Sequence, residues 1–326
     1  MAANPKSPLE SNSGYSHSYH AKAHVLMGEL HHPISQPIEH YGKVELKNTT
    51  RDTHIAQRVH ETSIEGLISF RSGHTRVIGT LVEEKQDIYG VNHAAHVTLA
   101  TAVVEGFNVL DILTADRIVA QISTEHPLKQ GSVPRVTLLG TRFENLQIAG
   151  YPVEVKLDLD ICGEKPGADS PYLTEKTFLA RVEKQLKATK TGAPKGLAKD
   201  YSDRLSSIDS LKKLSGKGAK TKQNGFPKVQ CSIVKSIGPI PIPGVKTFGN
   251  VIFIPNFGRV ALGELEVGME PVAGFPQKGV PQCSHYFTLN MLDMTLGCPV
   301  GGNGKGPGVS SNGQSSGPGS GSSAGG

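Results

Sequence analysis

The chain of 326 residues has no tryptophan and only four cysteines, and no stretch approaches the ~18 consecutive apolar residues that a membrane-spanning helix needs. Each absence removes a class of protein. Without an apolar run, no helical membrane span is expected. Cys162, Cys231, Cys283 and Cys298 contain no CxxC spacing, which argues against a structural zinc site. The first twenty residues, MAANPKSPLESNSGYSHSYH, lack the apolar core of a secretory signal, so this chain by itself carries no expectation of export. Catalytic signatures are missing as well. No GxSxG elbow, HExxH, phosphate-binding loop or GxGxxG after a strand is present, which lowers an enzyme reading.

What is there is a two-residue period. In Val153, Val155, Leu157, Leu159 and Ile161 apolar side chains alternate with Glu154, Lys156, Asp158 and Asp160. A strand places successive side chains on opposite faces, so this run predicts an antiparallel strand with a core below and water above. Leu146 and Ile148 precede Ala149-Gly150-Tyr151-Pro152, which reads as a hairpin turn. Shorter runs of the same kind recur from Ala23, in HVLMGEL, YGKVELKN, TSIEGLISF and TRVIGTLVEE. The longest β-rich block is Ala94 to His126, where two adjacent apolar residues at Val109-Leu110 shift the alternation as a bulge or bend would. Strands resume at Lys228 to Val234, a hairpin turns near Pro255-Asn256 with a parity shift at Gly263, and HYFTLNMLDMTLGC closes the sheet. The 38 glycines suit many short strands joined by turns.

Between these halves the character changes. Phe178, Leu179, Val182 and Leu186 fall at helical spacing after Pro171, and Tyr201, Leu205, Ile208, Leu211 and Leu214 form a second stripe beyond Thr191-Gly192-Ala193-Pro194. The fold class expected is therefore mainly β, an antiparallel β-sandwich interrupted by an inserted helical hairpin, with a barrel or β-solenoid as the alternative. The expected organisation is a flexible arm at 1–22, a discontinuous β domain at 23–162 plus 229–299, a basic helical insertion at 163–228, and a Gly/Ser-rich flexible tail at 300–326.

Charge is concentrated in the insertion. Pro171 to Gln230 holds 14 Lys or Arg against 5 Asp or Glu, whereas the rest of the chain holds 20 against 24. The overall +5 is therefore owed to the insertion. Lys184, Lys187, Lys212, Lys213 and Lys217 are the candidate contacts for a polyanion or polysaccharide, and a solvated helix face gives the same pattern. Few aromatics are interleaved, which argues against stacking on single-stranded nucleic acid. Paired carboxylates on strand faces, Asp158 with Asp160 and Glu264 with Glu266, have the residue types of a glycoside hydrolase or calcium site. A charged solvent face of a sheet also produces them. A Cys162–Cys231 bridge would pin the base of the insertion, the alternative being buried free thiols. His17, His20, His24, His31, His32 and His40 crowd the N-terminal region, where they read as solvated surface, and no metal or cofactor is expected. His93 and His96, three apart, would face opposite sides of a strand.

SGYSHSYHAKAHVLMGEL, Leu110 to Asp116, Asn145 to Val153 and Leu289 to Met294 stand in the order found in bacterial choice-of-anchor P proteins, which this chain resembles over about two thirds of its length. The resemblance implies a β-rich protein of unassigned activity at a cell surface or secreted, and it brings no catalytic residues. This chain departs from the family pattern in the absent leader, the basic insertion and the Gly/Ser end. Residues and resemblance together lead to a non-catalytic structural or binding module of a surface or assembly, with self-association through sheet edges. The alternatives are a carbohydrate-active hydrolase using the sheet-face carboxylates and a polyanion binder.

Overall fold

The computed structural model describes residues 16–32, 35–86, 92–127, 133–164, 171–214, 227–271, 283–297 and 301–316. The chain opens with β1 (Ser16–His24), β2 (Leu26–Leu30), β3 (Gln36–Tyr41) and β4 (Val44–Thr49). It then crosses to a second layer, laying down β5 (Thr53–Val59), β6 (Thr62–Ile64), β7 (Ile68–Phe70), β8 (Ser72–Gln86), β9 (Asn92–Val109) and β10 (Leu113–Pro127). That layer ends with β11 (Arg135–Thr137), β12 (Arg142–Glu144), β13 (Gln147–Ile148) and β14 (Tyr151–Pro152). After β15 (Val155–Leu157) come helices α1 (Lys176–Gly192) and α2 (Lys195–Leu214). The remainder is β16 (Lys228–Ser232), β17 (Val234–Ile237), β18 (Lys246–Phe248), β19 (Val251–Ile254), β20 (Gly258–Pro271), β21 (Cys283–Leu296), β22 (Gly302–Lys305) and β23 (Gly308–Ser316).

Two large antiparallel sheets result, with a two-stranded one of β15 and β17 beside them. One is built from an unbroken stretch of chain, with ten strands between Thr53 and Pro152 among the described residues. The other has eleven and joins the two ends of the chain: β23 runs between β1 and β21, and β22 between β2 and β21. The sheets face each other with β1 and β23 over β8, β9 and β10. Their inward side chains form one hydrophobic cluster that includes Ala21, Leu46, Ala100, Ile118, Leu265 and Phe287, as the alternation of a one-sided sheet requires. Close approach of the layers depends on Gly79: a Cβ there would lie 2.4 Å from Cγ of Tyr19, which comes from the opposite sheet.

The helical hairpin is a side wall of this sandwich. Phe178, Leu179, Val182 and Leu186 are all buried in the common cluster. Just ahead of α1, Tyr172 packs edge-on to Phe178 and Phe287 and donates to the carbonyl of Pro134 at 3.1 Å, bridging the two layers. Strand β16 lies at an edge of the larger sheet, and Gln185 on α1 caps it. Its amide donates to the carbonyls of Ser232 (2.7 Å) and Val234 (3.3 Å), while its oxygen accepts from the Ser232 N–H at 2.8 Å. The Ser232 end of that edge is thereby closed to another chain.

Four expectations need correction. Strand structure begins at Ser16, so the flexible arm gives up residues 16–22; residues 1–15 lie outside the described set. The Gly/Ser tail contributes β22 and β23, and Val309 and Ser311 are buried; residues 317–326 lie outside the described set. The alternating run 153–161 is strand only over Val155–Leu157, paired with β17, before it turns at Asp158 to Ile161. The shift at Val109-Leu110 is the tight turn between β9 and β10, with φ of 56° and 54° at Leu110 and Asp111.

Candidate functional site

At one end of the smaller sheet three turns pack together. The Leu110 N–H donates to Leu67 O at 2.9 Å, and the Ala149 N–H donates to Ile112 O at 2.6 Å. The hairpin turn expected over Ala149-Gly150-Tyr151-Pro152 is present but confined to Ala149-Gly150, with φ of 47° and 78°, Tyr151 and Pro152 being strand β14; Asn145 is also left-handed at 50°. Such conformations are costly for residues other than glycine and cluster at functional loops. The Asn145 amide donates to Asp116 (3.1 Å) and its oxygen accepts from Gln147 (2.9 Å), which fixes its plane.

Beside these turns opens a cleft of about 420 Å³, bounded by Phe143, Asn145, Tyr151, Pro152, Glu154 and Pro239. The Gly238 N–H donates to the Glu154 carbonyl at 2.8 Å, holding the proline-rich connector against the opposite wall. Tyr151 is 38% exposed, and Glu154 pairs with Lys156 at 3.2 Å on the surface. The cleft therefore offers an aromatic ring, a fixed amide and a carboxylate, the set that grips a ligand with apolar ring faces and hydroxyl edges.

The carboxylates marked from sequence do not line it. Glu264 and Glu266 stand side by side on the outer face of the larger sheet in opposite environments. Burial pushes the Glu264 carboxyl above its ordinary range against the pull of Arg204, 3.6 Å away, and nearby Asp293 adds to the rise. Burial acts on Glu266 too, but bonds from Gln230 (2.8 Å), Tyr286 (2.8 Å) and Lys228 (3.0 Å) more than reverse it and leave the group lowered. Asp158 and Asp160 belong to the turn after β15, where their backbone atoms bond Ile233 and Arg181. Neither this cleft nor the smaller one beside Arg204 and Ile208 is lined by any of the four.

Of the lysines, Lys187 (2.7 Å) and Lys212 both pair with Glu183, holding its carboxyl low, at about 2. Lys184 and Lys213 are exposed, and Lys217 lies outside the described residues. Cys162 and Cys231 are separate buried thiols, which corrects the bridge expectation. Burial pushes Cys162 up to about 12 and Cys231 well above its ordinary value, and each is therefore held in the unreactive protonated form.

Sequence reasoning missed a group of imidazoles between the sheets. His17 stacks on His96 with ring centroids 4.2 Å apart and lies 4.9 Å from His126, while the Tyr19 hydroxyl meets His96 Nδ1 at 2.9 Å. Burial, followed by His126, His96 and His20, drives His17 down to about 2. The signal was available: His17, Tyr19, Ala21 and Ala23 alternate and all point inward. Face-to-face stacking does not converge nitrogens on a point, and no group of three or more His, Cys, Asp or Glu among the described residues is placed to hold a metal.

A family model described as "Domain of unknown function (DUF8256)" matches residues 17–268. The matched span runs from β1 into β20 and takes in the helical hairpin. No curated protein and no solved structure matches the chain.

Proposed function

We propose that this chain, which belongs to the DUF8256 family, is a binding module whose ligand is a glycan seated in the cleft at Tyr151. The supporting observation is the cleft itself: Tyr151 and Phe143 supply ring surface, and Asn145 and Glu154 supply hydrogen-bonding groups. Ordered turns at the end of a rigid sandwich are where binding residues concentrate. A module of this kind acts at a surface or in an assembly. No helix among the described residues is long and apolar enough to cross a membrane.

The test is electrophoresis in native gels cast with xylan, mixed-linkage β-glucan or pectate. Migration is expected to slow in at least one gel and to recover in Tyr151→Ala, while Leu139→Ala, an exposed position outside the cleft, stays slow. No retardation in any gel, or a Tyr151→Ala protein retarded like the wild type, overturns the reading.

A second reading rests on one observation. Ten basic against four acidic residues on the two helices favour a polyanion, met first by the exposed Lys184 and Lys213. A Lys184→Glu/Lys213→Glu protein that elutes from heparin at the wild-type salt concentration ends that one.

A further inference from the structure

Strand β5 has a free edge. It pairs with β8 along its whole length, Thr53 opposite Gly79 through Val59 opposite Gly73, and with no other strand among the described residues. His54, Ile55, Ala56, Gln57 and Arg58 are all exposed, Ile55 by 37%. Such an edge presents a row of backbone donors and acceptors to any chain that comes alongside. On the larger sheet Gln185 bonds the Ser232 end of the β16 edge. The Arg58 side chain is the only charge within β5.

We infer that β5 pairs antiparallel with β5 of a second copy of this chain, about a two-fold axis at Ala56, joining the two smaller sheets into one. The sequence around that axis is self-complementary. Thr53 falls opposite the partner's Val59, His54 opposite the partner's Arg58, and Ile55 opposite the partner's Gln57. Ala56, the smallest side chain of the strand, meets its own copy. Beyond the strand ends the same register sets Arg51 against the partner's Glu61 and Asp52 against the partner's His60. All four of those residues are exposed. Asp52 is already held in place by Thr80 Oγ1 (2.8 Å) and the Leu81 N–H (3.0 Å).

Cross-strand pairs of opposite charge stabilise a ladder and like charges directly opposed weaken it. Here the symmetry keeps Arg58 away from its own copy. It also makes each attraction occur twice. An isologous contact of this kind closes on itself, so the product is a dimer and not a filament. Displacing the strands by two residues would place Ile55 on the axis and exchange the Arg51 to Glu61 pairing for one of the partner's Arg58 with Asp52, whose carboxylate is already bonded by Thr80 and Leu81.

Sedimentation velocity over a concentration series, with the full chain, tests this. The wild type is expected to be a dimer at micromolar concentration. Arg51→Glu would oppose two acidic groups at both ends of the interface and weaken the dimer by about tenfold or more. Arg51→Glu/Glu61→Arg is expected to restore it. Circular dichroism and melting check that each variant is folded, which the exposure of both positions favours. Under mild oxidation A56C should cross-link two copies. A wild type that stays monomeric at hundreds of micromolar overturns the inference. So does a charge swap that fails to restore association, or an I55C cross-link formed without the A56C one.

Discussion

If Gln185 caps the edge of the larger sheet, its removal should cost far more than its surface position suggests. Three hydrogen bonds converge on it, two from its amide and one to its oxygen, and Ser232 beneath is only 3% exposed. A hydrogen bond contributes about 0.5–1.5 kcal/mol net, and a buried group left unsatisfied costs about 1–3 kcal/mol. Gln185→Met keeps the length of the side chain and removes all three bonds, so the expected loss is roughly 2–4 kcal/mol. Lys184→Ala, the adjacent exposed position, should stay within about 0.5 kcal/mol of the wild type. Equilibrium urea unfolding with a shared m-value measures both, and in a thermal scan the Gln185→Met loss corresponds to roughly 5–10 °C. A Gln185→Met protein as stable as Lys184→Ala would refute the idea that the hairpin is a docked wall.

Acid should destabilise the fold through its buried neutral histidines. Burial lowers His285 and His24 from 6.5 to about 4 and His17 to about 2. The unfolded chain takes up these protons first, so stability is full above pH 6.5 and is lost as pH falls toward 4. His285 alone accounts for about 3 kcal/mol across that window, and urea midpoints at pH 7 and 4.5 should differ less in His285→Phe, whose ring would join Tyr172 and Phe287. Gly79→Ala should cost about 1–3 kcal/mol by driving a methyl group into Tyr19, read from the urea midpoint. Mapping by mass spectrometry should find Cys162 and Cys231 unalkylated in native protein and fully alkylated in urea, whereas a disulfide-linked peptide pair would contradict the free thiols.

The sandwich was legible because its inner faces obey a two-residue period. Ala100, Ala102, Val104 and Ile118, Ala120, Ile122 announce the packed face of β9 and β10 directly. The helical stripe was legible from a period of 3.6, since Phe178, Leu179, Val182 and Leu186 recur on one side. Composition misled where a strand draws its stability from its neighbours. In β23 the sequence GVSSNGQSS has one apolar residue, yet the strand is bonded on both sides, by β1 and β21. Gly308 is required there: a Cβ would lie 2.4 Å from the His24 ring and 2.5 Å from Asn290 Oδ1. Ser311, fully buried, meets Thr124 of the facing sheet at 2.7 Å. Residues 153–161 misled the other way, because a turn at Asp158 to Ile161 can keep the inside–outside order of side chains while leaving the ladder. The cleft could not be read at all, since Pro239 and Gly238 reach Glu154 only through tertiary folding.

The two chain ends close one sheet, with β23 in its interior between β1 and β21. Hydrogen exchange followed by mass spectrometry on the intact protein tests this directly. Peptides covering Val309 to Asn312 are predicted to be protected as long as those from β9 and β10. Exchange of those amides within seconds, at the rate of an unstructured Gly/Ser segment, would contradict it.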